Sequence, residues 1–129
     1  QNYESLQLIL SEIDLITPNY NEIIKLSKEE TDPESIAESL SEHCAVLLKG
    51  GHNPNEPGVD YLYTKEHFFR LEPHHSEIYE KHGSGCVLSS AITANLSKEQ
   101  DVLNACKNAK IYIENYLLSN HTKLGYHYV

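Results

Sequence analysis

The stretch Cys44-Ala45-Val46-Leu47-Leu48-Lys49-Gly50-Gly51-His52 sets a short, continuously apolar run against a cationic, glycine-rich end. An apolar run of this length, bounded by turn residues, reads as a strand buried on both faces. Upstream, Ile13-Asp14-Leu15-Ile16-Thr17 repeats the pattern and is closed by Pro18. Helical segments separate the two runs. Asn19 to Ser27 carries Ile23, Ile24 and Leu26, and a second helix runs from Pro33, behind an Asp32 N-cap, to about Glu42. Buried strands alternating with helices make parallel neighbours in an α/β sheet. In such sheets ligands bind beyond the carboxyl ends of the strands. Thr17-Pro18-Asn19 and Lys49-Gly50-Gly51 stand at those ends.

Outward from this frame, residues 3–11 read as a short helix with Leu6, Ile9 and Leu10 on one face. The segment Asn53-Pro54-Asn55-Glu56-Pro57-Gly58 is a loop by composition. Val59–Tyr63 and Glu66–Leu71 form a hairpin, and Pro73–Lys81 is a polar, exposed connection. A helix is expected from Cys86 to about Asn95 and a longer one over roughly 98–118. The apolar stripe of the second comprises Val102, Ala105, Cys106, Ala109, Ile113, Tyr116 and Leu117.

The chain has 129 residues, enough for one domain with a modest core. A net charge of −9 argues against non-specific nucleic-acid binding. No apolar run approaches the roughly 20 residues needed to span a bilayer, so no membrane partner is expected. Cys44, Cys86 and Cys106 are odd in number and lack C-x-x-C spacing. They fit free thiols in a reducing, cytoplasmic setting. The chain contains no methionine and begins Gln1-Asn2-Tyr3. It is therefore expected to be a fragment of a longer protein, with one sheet edge left open and apolar.

The chemistry concentrates in His82-Gly83-Ser84-Gly85-Cys86, which runs into Val87-Leu88-Ser89-Ser90-Ala91-Ile92. Two glycines flank a hydroxyl just where a helix begins. Free N–H groups and the helix dipole attract anions there, above all phosphate. A cysteine in the first turn has its thiolate favoured by the same field. An ordinary loop-to-helix cap, with Cys86 as a small buried core residue, is the competing reading. Asn19 and Glu22, three residues apart, suit either a capping box or a magnesium-phosphate contact. Lys49 suits either a solvated strand end or a phosphate contact. His74, His75, His82 and Cys86 have no spacing of a structural zinc site.

Four stretches together resemble one family: Ile16-Thr17-Pro18-Asn19-Tyr20-Asn21-Glu22, Val46-Leu47-Leu48-Lys49-Gly50-Gly51-His52, Val59-Asp60-Tyr61-Leu62-Tyr63 and His82–Ile92. They are similar to the C-terminal half of the hydroxymethylpyrimidine/phosphomethylpyrimidine kinases of thiamine biosynthesis, in the ribokinase-like superfamily. The resemblance implies an α/β, three-layer sandwich with a mostly parallel sheet. Residues 1–129 would be the C-terminal portion of a single kinase domain, inactive alone. It also implies transfer of phosphate from ATP, with Mg²⁺, to 4-amino-5-hydroxymethyl-2-methylpyrimidine and then to its monophosphate.

In the family the glycine turn is an anion hole, here Gly83, Ser84 and Gly85. The residue after it is catalytic, here Cys86. Ser84 stands where the family more often has threonine, which keeps the hydroxyl. Asn19, Lys49 and Gly51 match nucleotide-site positions, and Glu22 matches a Mg²⁺ position, acting through water. The partner expected is the small-molecule substrate, with a homodimer as the further assembly considered. A pyridoxal kinase of the same cysteine-containing type is the enzymatic alternative. A non-catalytic fragment that keeps part of the fold and binds a partner through its open edge is the other.

Overall fold

The structure is a computed structural model that describes residues 3–75, 83–125 and 127. The chain divides into two compact units, residues 1–72 and 73–129. The first contains α1 (Tyr3–Leu10), β1 (Leu15–Ile16), α2 (Tyr20–Ile23), α3 (Pro33–Leu40), β2 (Ala45–Leu48), β3 (Asp60–Tyr63) and β4 (Phe68–Leu71). The second contains α4 (Ser84–Ser97) and α5 (Val102–Leu118). No helix among the described residues is long and apolar enough to cross a membrane.

The sheet of the first unit runs β1-β2-β3-β4. β1 and β2 are parallel, with Leu15 opposite Ala45 and Ile16 opposite Val46. This is the parallel neighbour relation expected of two apolar runs joined through helices. β3 returns antiparallel to β2, placing Leu47 opposite Leu62, and β4 closes the hairpin with Leu62 opposite Phe69. The sheet is therefore mixed, with one parallel and two antiparallel pairings, and the tight turn at Thr64–His67 permits only an antiparallel return from β3 to β4. Val46, Leu47 and Leu48 are all buried, so β2 is covered on both faces. Val46 and Leu48 join Ile23, Ile36, Ala37, Leu40, Val59 and Tyr61 in one core cluster.

Local chemistry explains the boundaries. Asp32 accepts the Ser35 N–H at 2.9 Å, and Pro33 follows at the first helical position, so α3 starts where expected. It ends at Leu40 rather than Glu42. β1 is shorter than the run 13–17 and only half-buried. It pairs with β2 on one side, and Ile13 falls outside the ladder.

In α1, Leu10 is buried and Leu6 packs against the core, but Ile9 is 57% exposed. The buried face is the i, i+4 pair Leu6–Leu10, and Ile9 sits on its flank. The second unit packs α4 on α5. The expected stripe of α5 is realised in Ala105, Cys106, Ala109, Ile113 and Tyr116, all buried. α5 begins at Val102 rather than near 98, because Asp101 caps it by accepting the Asn104 N–H at 2.8 Å.

Candidate functional site

In the first unit the ends of β1 and β2 are stitched together just past the ladder. The Lys49 N–H donates to the Pro18 carbonyl at 2.9 Å, and Asn19 and Lys49 form a parallel bridge. The two polar clusters expected at the strand ends thus meet, with Asn19 beside Lys49. At Asn19 the capping box is present in full. Asn19 Oδ1 accepts the N–H groups of Asn21 at 2.9 Å and Glu22 at 2.8 Å, and Glu22 Oε2 accepts the Asn19 N–H at 2.8 Å. The box fixes Glu22 at its Oε2 while the side chain stays exposed. Its other oxygen can therefore take a metal-bound water. One such carboxylate suits Mg²⁺, which keeps several waters and phosphate oxygens in its shell.

The turn after β2 is locked at Gly50. Its carbonyl accepts the N–H groups of Asn53 at 3.0 Å and Gly58 at 2.9 Å, and its N–H donates to Asp60 Oδ1 at 2.7 Å. A Cβ on Gly50 would lie 1.7 Å from the Val59 carbonyl oxygen, so no other residue fits without moving backbone. Gly51 differs: it is exposed, and a Cβ there would meet nothing within 4 Å. That open ground lets a ligand approach the backbone closely, next to the half-buried Lys49.

The loop between Gly50 and β3 is pinned from its other side. Asn53 Oδ1 accepts the N–H groups of Asn55 at 3.0 Å and Glu56 at 3.2 Å. The Glu56 carboxylate receives the Tyr61 hydroxyl and the Arg70 guanidinium. The Arg70 hydrogen bond is the chief reason the Glu56 carboxyl sits below the usual range. The same Glu56 contact pushes the Tyr61 phenol up.

In the second unit, Gly83 is the N-cap of α4 with φ +69°, a left-handed conformation that glycine adopts without the cost of a Cβ. Val87 N–H closes the first helical bond to the Gly83 carbonyl at 3.0 Å. α4 therefore starts at Ser84, two residues before the sequence expectation, and Ser84, Gly85 and Cys86 form its first turn. Gly83 has no side chain to cap this end. The first N–H groups of a helix have no intrahelical partner, so those of Ser84, Gly85 and Cys86 are placed to receive an anion.

Cys86 is a free, exposed thiol, whereas Cys44 and Cys106 are buried. Its position rules out the packed-core reading. It opens onto a largely apolar groove of about 600 Å³ whose walls include Ala91, Asn95, Lys98, Tyr112 and His127. His82 lies outside the described residues.

The structure also exposes a residue that the sequence reading passed over. Asp60 is 7% exposed and holds the Gly50 N–H. The available signal was an acidic residue inside the apolar run Val59-Asp60-Tyr61-Leu62-Tyr63. A carboxylate in such a strand needs a donor.

The family model for phosphomethylpyrimidine kinase matches residues 1–129. The chain is 35% identical over 132 residues to the hydroxymethylpyrimidine/phosphomethylpyrimidine kinase of Aquifex aeolicus, covering 95% of this chain and 51% of the relative. It thus spans about half the length of that relative. Among solved structures, an ADP complex of Bacillus subtilis pyridoxal kinase superposes with a TM-score of 0.73 at 29% identity, over 88% of this chain and 48% of the other. An Escherichia coli protein described as a ribokinase II, solved with ATP and Mg²⁺, superposes with a TM-score of 0.69 at 22% identity, over 88% of this chain and 36% of the other. The fold is ribokinase-like and partial. With the family model matched from residue 1 to residue 129, the chain belongs to the phosphomethylpyrimidine kinase family.

Proposed function

We propose that residues 1–129 are the C-terminal portion of a single kinase domain. That domain phosphorylates 4-amino-5-hydroxymethyl-2-methylpyrimidine, and then its monophosphate, from ATP in thiamine biosynthesis. The observation that carries this reading is the start of α4. A left-handed Gly83, with no side chain to cap the helix, places the first N–H groups of α4 and an exposed thiol within a single turn. Phosphoryl transfer asks a protein mainly for positioning and charge stabilisation, and this turn supplies both.

In the proposed step the hydroxymethyl oxygen forms a bond to the γ-phosphorus. The bond from that phosphorus to the β–γ bridging oxygen breaks, and ADP leaves. Cys86 takes the hydroxyl proton as general base. The N–H groups of Gly83, Ser84, Gly85 and Cys86 stabilise charge on the transferring group, as donors fixed before the reaction do best. Lys49 and the open backbone at Gly51 contact nucleotide phosphates, with Asn19 beside them. Glu22 would hold Mg²⁺ through water, and the ion when bound would supply charge neutralisation on the phosphates.

A second reading keeps the same groups and changes the alcohol to pyridoxal. The 29% identity to the Bacillus subtilis pyridoxal kinase favours it. Turnover of both alcohols by the complete polypeptide containing residues 1–129 separates the two. Preference for the pyrimidine, by at least about tenfold in kcat/KM, supports the first reading. The reverse preference establishes the second, and no transfer to either alcohol overturns both.

A further inference from the structure

Gly50 is held on both sides of its peptide. Its carbonyl takes two N–H groups from the following loop, Asn53 and Gly58. Its N–H points the other way and meets Asp60 Oδ1 at 2.7 Å, ten residues further along the chain. Asp60 opens β3, where its register partner is Leu71 on β4, and its neighbour Tyr61 is paired with Leu48 on β2. The carboxylate thus stands on a strand anchored from both sides. It is buried, and a carboxylate is costly to bury unless donors satisfy it. A hydrogen bond with an ionised acceptor is roughly twice as strong as a neutral one. Gly50 also has no room to shift, since the Val59 carbonyl already fills the place of a side chain.

The consequence falls on the flanking residues. With both polar groups of Gly50 spent inside the protein, it offers none to a ligand. Lys49 precedes it, tied back to Pro18 by its own N–H. Gly51 follows it, exposed and unobstructed. Rotating the Gly50 peptide would swing both.

We propose that Asp60 is the positioning residue of this turn: its buried carboxylate fixes the Gly50 peptide and thereby aims Lys49 and the Gly51 backbone at the phosphates of a bound nucleotide. The role of Lys49 in that statement rests on the proposed function. The locking of Gly50 by Asp60 does not.

The test uses the complete polypeptide containing residues 1–129 and three variants, Asp60→Ala, Asp60→Asn and Lys49→Ala. Amide hydrogen exchange is followed at Gly50 and at Leu47 and Leu62, and MgATP is the binding probe. Removing a charged acceptor from a buried donor typically costs a factor of about ten or more. Gly50 exchange in Asp60→Ala should accelerate by at least about tenfold relative to Leu47 and Leu62. Asp60→Asn, which keeps a carbonyl acceptor, should restore most of the protection. Equal acceleration at all three amides, or none at Gly50, overturns the positioning role.

For MgATP, affinity should fall about tenfold in both Asp60→Ala and Lys49→Ala and recover in Asp60→Asn. Full affinity in Asp60→Ala with loss in Lys49→Ala overturns the aiming of Lys49. Absent binding by the parent polypeptide, or full affinity in Lys49→Ala, overturns the nucleotide role of this turn and with it the aiming statement. The Gly50 exchange result still decides the locking.

Discussion

Cys86 differs from the other two thiols in a way that one reagent can read. It is exposed in the first turn of α4, while Cys44 and Cys106 are buried, and burial pushes the Cys44 thiol up. Thiolates, not thiols, react. Native protein should therefore lose one thiol to iodoacetamide quickly, with peptide mapping placing the label at Cys86, and lose all three only after unfolding. Rapid labelling of Cys44 or Cys106 in the native state would contradict their placement. Gly50 makes a second residue-scale case. Gly50→Ala would force a Cβ into the Val59 carbonyl. Overpacking of this kind costs about 1–3 kcal/mol, measurable as a lower urea midpoint, whereas Gly51→Ala should leave the midpoint within about 0.5 kcal/mol of the parent. The glycines of Lys49-Gly50-Gly51 looked equivalent in the sequence. Which one is locked and which is open depends on Val59 and Asp60, contacts no local pattern encodes.

At the scale of elements, side-chain caps decided three helix starts. Asp32, Asn19 and Asp101 each accept N–H groups at a helix start. The hydrogen bonds from Ser35 hold the Asp32 carboxyl below its ordinary range. A depressed folded-state pKa means the cap's contribution is complete above the unfolded value and is lost as pH falls through the folded one. Asp32→Ala should therefore cost about 1 kcal/mol at neutral pH. The difference from the parent should shrink as pH drops below about 4, the ordinary aspartate value. A pH-independent difference in chemical denaturation would show that the charge is not involved.

The strands at 45–48 and 60–63, α3 and the stripe of α5 were legible because periodicity and caps agreed. The start of α4 was misplaced because Gly83 is a backbone cap with no side-chain signature. Ile9 was misassigned because, in a helix of eight residues, tertiary packing chose between neighbouring faces.

At the scale of the molecule, the chain spans about half of the Aquifex aeolicus kinase. In its first unit Leu8, Ile9, Ile13 and Ile24 are exposed apolar residues, clustered in sequence around β1, an edge strand of the described sheet. An apolar sheet edge that no partner covers promotes association. Light scattering on the 129-residue chain should show concentration-dependent oligomers, and Ile9→Lys with Ile13→Lys should shift it toward monomer. A strictly monomeric parent would contradict an open edge.

The Asn19–Glu22 capping box was readable in the sequence because it is local. The pairing of Asn19 with Lys49 was anticipated only through strand-end logic, and the hold of Asp60 on Gly50 was not anticipated at all.

The most direct test of the kinase account is transfer of the γ-phosphoryl group from labelled ATP to hydroxymethylpyrimidine by the complete polypeptide, with Cys86 and with Cys86→Ala. General-base catalysis contributes typically about 10²–10⁴ in rate. The parent should turn over, and the variant should lose at least about 100-fold in kcat with its KM for ATP within about threefold. Equal turnover by the two proteins would contradict the account.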